Sequence, residues 1–99
     1  MDNKLEKFIE SLEKITIAKV LRTVDLLEKF GNQLEMPHSK KVGRGIFELR
    51  IRGVQEVRIF YAFHNSAAVL LHGYTKKTDR IPAKELAIAN RKKSELDSV

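Results

Sequence analysis

The segment from Gly43 to Lys77, GRGIFELRIRGVQEVRIFYAFHNSAAVLLHGYTKK, constrains this chain most. Apolar and polar residues alternate along it, and it is interrupted twice by turn-prone polar residues, at Gly53-Val54-Gln55 and His64-Asn65-Ser66. Alternation with period two predicts three consecutive strands in an antiparallel meander. In the first, Phe47, Leu49 and Ile51 share one face, with Glu48, Arg50 and Arg52 on the other. In the second, Val57, Ile59, Tyr61 and Phe63 share the apolar face, leaving Arg58, Phe60 and Ala62 opposite. The third, AAVLLHGY, is apolar nearly throughout, as expected of a strand covered on both sides. Strict alternation sets His72 and Tyr74 opposite Val69 and Leu71, and Lys76 and Lys77 leave the sheet together.

Elements flanking the meander read as helices. Leu5, Phe8, Ile9, Leu12 and Ile15 recur at helical spacing, followed by a second series of Val20, Leu21, Val24, Leu27 and Phe30. The two registers do not join around Lys14–Thr16, which predicts two antiparallel helices with Thr16 as cap of the second. Gly31 stands where a helix ends, and the basic stretch from Asn32 to Arg44, containing Pro37 and His38, reads as a loop. Pro82 opens a last helix from Ala83 to about Leu96, with Leu86, Ala89 and Leu96 on one side. The order predicts a single α+β domain over 1–99, two N-terminal helices packed on a three-stranded or slightly larger antiparallel sheet, with a C-terminal helix. Tyr61 shares its face with Ile59 and is read as core.

Charge narrows the partners. Residues 1–36 carry six Lys/Arg against seven Asp/Glu, whereas residues 37–99 carry thirteen against six. The net +6 therefore sits on the sheet and C-terminal region, a distribution that favours a polyanionic partner. With no cysteine there is neither a disulfide nor a thiolate metal site. No His/Asp/Glu spacing resembles a metal site, and there is no glycine-rich phosphate cradle. No run reaches the length of a membrane span and the N-terminus does not read as a signal peptide, so the expectation is a cytoplasmic protein without membrane contact or cofactor.

The segments KKVGRGIFELRI (40–51), VRIFYAF (57–63) and LLHGYTKKTDRIPAKELAIANRK (70–92) closely resemble the HigB-like, phage-derived branch of the RelE/ParE toxin superfamily, over roughly residues 5–93. The resemblance implies a RelE/ParE-like fold and the toxin of a type II toxin–antitoxin system. Its partners would be a small helix-turn-helix, HigA-like antitoxin, messenger RNA and the ribosome. Phe47, Tyr74 and Ile81 depart from the residues usual in that branch, and the loss of a threonine before Pro82 removes a helix cap worth about 1 kcal/mol. Members usually begin with a short strand, so this chain either lacks that strand or its true start lies upstream. Its absence would expose a sheet edge and invite association.

The activity implied is metal-independent cleavage of mRNA by attack of a 2′-hydroxyl on the adjacent phosphate. Such a site must take the 2′ proton, neutralise the phosphorane and protonate the leaving 5′ oxygen. Arg58 is the first choice for the phosphorane, since a guanidinium fork meets two oxygens and stays charged. His72 is the candidate acid or base, weighed against an equally good reading as a buried structural histidine. Lys76 is the third catalytic candidate. Lys40, Lys41, Arg44, Arg50, Arg52, Tyr74 and Lys77 complete an expected RNA-binding set, with Tyr74 as a stacking residue. The competing reading is a toxin that acts only by binding protein, either gyrase-directed or degenerate.

Overall fold

A computed structural model of the chain describes residues 2–98. Among them the elements run α1 (Asn3–Glu10), α2 (Lys14–Phe30), a short 3-10 turn (Gly31–Gln33), β1 (Ser39–Gly43), β2 (Ile46–Ile51), β3 (Val57–His64), β4 (Ala67–Thr75) and α3 (Ala83–Asp97). The four strands form one antiparallel sheet in sequence order. The meander is as the alternation predicts, but β1 adds a fourth strand from the stretch read as loop. Ser-Lys-Lys-Val-Gly has no apolar alternation to announce it, and it is a polar edge strand paired only with β2.

Helices cover both faces. On one, Leu5 and Leu12 of the α1 region and Val20 and Leu27 of α2 pack on Leu49, Ile51, Val57, Ile59 and Tyr61. On the other, Ala89 of α3, flanked by Leu86 and Leu96, packs on Ile46, Phe60, Ala62, Leu71 and Tyr74. The expected helix pair therefore covers its predicted face, and α3 builds a second core behind the sheet. Tyr61 is core as read, its hydroxyl bonded to that of buried Ser39.

Three local expectations are corrected. The buried stripe of α2 runs through Thr16, Val20, Thr23 and Leu27, which leaves Ile15, Leu21 and Phe30 outside the stripe and exposed. Thr16 consequently lies inside the helix, and Glu13 occupies the N-cap position. The third correction concerns β4. The register shifts between Phe60 and Tyr61, whose partners are His72 and Leu70, so Leu71 is the extra residue of a bulge. Alternation breaks there, and Val69, Leu71 and Tyr74 all join the α3-side core instead of dividing between faces.

The edge of β4 is partly closed by the chain itself. Lys92 of α3 reaches the Leu71 carbonyl at 3.0 Å and the carboxylate of Asp2, whose other oxygen caps α1 by accepting from Leu5 N at 2.9 Å. One lysine thus ties the layers on both faces to the bulge. Gly73 lets α1 close on the strand, since a Cβ there would meet the Phe8 ring at 2.9 Å. Gly31, with φ +55°, ends α2 where the sequence places its terminus.

Asn65 and Ser66 join β3 to β4 with both φ angles positive, 52° and 67°, the conformation of a tight primed hairpin turn. Serine holds this region at a cost that glycine does not meet. Ser66→Gly is expected to stabilise the fold by about 1 kcal/mol, raising the midpoint of thermal unfolding by roughly 4–8 °C. An unchanged or lowered midpoint in a calorimetric scan would contradict this account of the turn.

Candidate functional site

At the end of β2 and the start of β3, the α3-facing stripe changes from apolar to charged. Arg50 and Arg58 are direct cross-strand partners, and Arg58 in turn faces Tyr74. Like charges placed opposite each other in a sheet repel, and two carboxylates relieve this pair. Glu48 Oε1 lies 3.5 Å from Arg58 Nε and 3.8 Å from Arg50 Nε, and Glu56 Oε2 lies 3.3 Å from an Arg58 terminal nitrogen. The side chains of Arg58 and Glu48 are only 3% and 4% exposed, whereas Glu56 is 44% exposed. Four polar atoms of this cluster are buried without a hydrogen-bond partner in the protein: Glu48 Oε2, the Nε atoms of Arg50 and Arg58, and the Tyr74 hydroxyl.

Above this floor opens a polar groove of about 460 Å³, lined by Arg50, Arg52, Glu56, Arg58, Lys76, Lys77, Thr78 and Asp79. Backbone geometry fixes its two walls, because Lys76 N donates to the Glu56 carbonyl at 2.7 Å. The arginines and lysines predicted from β2, β3 and the exit of β4 therefore meet here. Glu48 and Glu56 offset Arg50 and Arg58, so the groove's positive excess comes from Arg52, Lys76 and Lys77 against Asp79.

Other predicted residues stand elsewhere. His72 shares the sheet face with Arg58 but lines a separate cleft with Lys4, Phe8, Ile88 and Lys92. Its Nε2 is 2.8 Å from Glu85 Oε1 and its ring stacks on Phe60, which fastens β4 to α3. Tyr74 is buried and stacked on Phe60, so it forms the floor and offers no face to an exposed base. Burial and the neighbouring Glu48 carboxylate push its phenol up to about 12. Lys40 and Lys41 lie on the β1 edge, in a hollow with Phe47 and Met36, and Arg44 lies at the far end of β2, in the β1–β2 turn. Glu56, Thr78 and Asp79 are the groove residues that the sequence does not single out as functional, Glu56 reading there only as a neutraliser of the neighbouring arginines. The signal for Glu56 is its place one residue before β3 and two before Arg58. Among the described residues no group of three His, Cys, Asp or Glu side chains is placed to hold a metal ion, and no helix is long and apolar enough to cross a membrane.

The fold and groove define a class: a small protein with a helix-covered antiparallel meander and a cationic cleft at the sheet end. A family model described as "Phage derived protein Gp49-like (DUF891)" matches residues 7–94. The chain belongs to that phage-derived family, which is of the RelE/HigB toxin type. A comparison with curated proteins finds no match.

Two outcomes follow from the floor's burial. Arg58→Ala leaves the Glu48 carboxylate with Arg50 alone, 3.8 Å away, and is expected to cost about 3–5 kcal/mol of stability, part of which a simultaneous Glu48→Leu change restores. Equal denaturant midpoints for the single and double variants would refute the pairing. This burial also makes Arg58→Ala an unsafe probe of activity, because lost fold and lost function would look alike. The second outcome concerns pH. Both phenols ionise later than the ordinary 10, Tyr61 and Tyr74 each through burial. The stability tied to the neutral Tyr74 phenol is therefore complete below pH 10 and declines as pH rises toward about 12. Phenolate absorbance of the native protein appearing with a midpoint near 10 would contradict it.

Proposed function

We propose that this protein is a toxin that cleaves RNA in the groove between the β2 end and the Lys76–Asp79 segment, without a metal. The observation that supports this most is a half-exposed carboxylate, Glu56, held beside a guanidinium and ringed by Arg52, Lys76 and Lys77. Arg52 and Lys77 grip the phosphate flanking the attacked bond. Glu56 accepts the 2′ proton as the 2′ oxygen bonds to phosphorus. The P–O5′ bond breaks, the Lys76 ammonium donates its proton to the leaving oxygen, and a cyclic phosphate and a 5′-hydroxyl result. Arg58, almost wholly buried, positions the Glu56 carboxylate and adds positive charge beneath the phosphorane. In this reading His72 holds α3 to β4 and takes no proton from RNA.

The cellular setting proposed is a toxin–antitoxin pair acting on ribosome-bound mRNA. A helix-turn-helix antitoxin would silence the toxin with an acidic segment laid over the same cations. One observation favours the alternative of a toxin that works only by binding: Arg58 is already ion-paired with Glu48 and Glu56, and His72 is already hydrogen-bonded to Glu85. Glu56→Gln separates the two. It removes the base but no positive charge, so cleavage should fall by about 10²–10⁴-fold, with RNA affinity held or slightly raised. Lys76→Ala should lose cleavage with an unchanged unfolding midpoint. Full cleavage by both variants, measured by mapping transcript 5′ ends after induction, would sink the mechanism. Activity that disappears with a chelator would sink its metal independence.

A further inference from the structure

A second concavity, of about 290 Å³, opens beside the groove between α2 and the end of β2. Its lining includes Lys19, Arg22 and Leu26 of α2, Pro37, and the same Arg50 and Arg52 that wall the groove. Lys19, Arg22, Thr23 and Leu26 fall on one helical stripe, which is why a single helix face supplies them together. Among the described residues no carboxylate lines this concavity, in contrast to the groove next door. Among the described residues neither Lys19 nor Arg22 forms an ion pair. Lys19 is instead oriented by the Arg52 carbonyl at 3.2 Å, over Gly53, where any Cβ would strike its ammonium. Its size is at the lower end of the range of about 300–1,000 Å³ for small-ligand pockets.

We propose that this concavity is a second nucleotide subsite, which holds single-stranded RNA next to the phosphate lodged in the groove. Leu26 and Pro37 form the apolar shelf for a base, and Lys19, Arg22 and Arg52 take the phosphate that follows it. Shared walls at Arg50 and Arg52 make the two hollows one continuous cationic track, from the Lys76 segment onto α2. An acidic protein segment meets the same charges but would place carboxylates at irregular spacing. The apolar shelf set beside the cations matches the alternation of base and phosphate better. The inference rests on RNA being the ligand of the groove.

The test is binding of a fluorescent oligouridylate, long enough to cross both hollows, to the full chain at several salt concentrations. Arg22→Glu, at an exposed position, and Lys19→Ala are each compared with Lys7→Glu, which alters charge on exposed α1. Both subsite variants should weaken binding on the order of tenfold, and the log–log salt slope should become shallower by roughly 0.7 per lost phosphate contact. Lys7→Glu should change neither. Affinity equal to wild type in both subsite variants overturns the subsite and leaves the groove's proposed chemistry standing. RNA that binds the wild type but is never cut sinks the chemistry while the subsite is still judged by affinity. RNA that does not bind the wild type at all overturns both. Weakened binding of polyglutamate with unchanged RNA affinity overturns the subsite in favour of a protein ligand.

Discussion

The buried carboxylate of Glu48 is the constraint on which the rest of this structure depends. It lies on a central strand, beneath two arginines that β2 and β3 place directly opposite one another. Removing two guanidiniums from water beside each other would be prohibitive without a counter-charge, and a single carboxylate bridging both supplies one. Glu56 offsets the second from the solvent side. An arrangement of this kind contributes little net stability compared with an apolar core of the same volume. Its presence in the middle of a sheet is the local inconsistency expected where function, not packing, has set the residues.

The same cluster determines where α3 can lie. Moving along the second face, Ala62, Phe60 and Tyr74 give way to Arg58 and Arg50. The apolar stripe of α3 is small, with Ala89 buried and Leu86 and Leu96 beside it, and it follows the apolar part of the sheet. The bulge at Leu71 extends that part by turning one more leucine toward α3, and Lys92 pins the helix to the bulge's carbonyl. The His72–Glu85 contact holds the start of α3 against β4.

The meander and its core were legible because period-two alternation is enforced wherever a strand has a buried face. Arg50, Arg52, Arg58, Lys76 and Lys77 were legible for the same reason, since alternation and turn placement bring strand ends together. What was not legible depended on partners distant in sequence. Tyr74 reads as a stacking aromatic until α3 is seen to cover it, and His72 reads equally as a catalytic base or a structural histidine until Glu85 is found beside it. The polar β1 has no pattern of its own, being defined by pairing with β2. Lys19 and Arg22 do not stand out in the sequence because the net charge of the first 36 residues is slightly negative. Charge summed along a chain does not reveal which helix face carries it, and among the described residues no acidic one lines the hollow.

A groove needs walls and also something that keeps it from closing, and in this protein one set of residues does both. Apolar residues at positions 50 and 58 would extend the second core, and α3 or the segment from Lys76 to Arg80 would fold down on it. Arginines there are paired with Glu48 and, although largely buried themselves, give the groove a charged floor in place of an apolar one. The opening and its positive charge therefore have a common origin in the substitution of charge for hydrophobic surface along one stripe. The stripe ends at Arg50 and Arg52, which also wall the hollow on α2. A polyanion entering from the Lys76 side thus meets a continuous cationic path whose electrostatics improve outward, from the self-neutralised pairs at the floor to a hollow lined by cations without carboxylates.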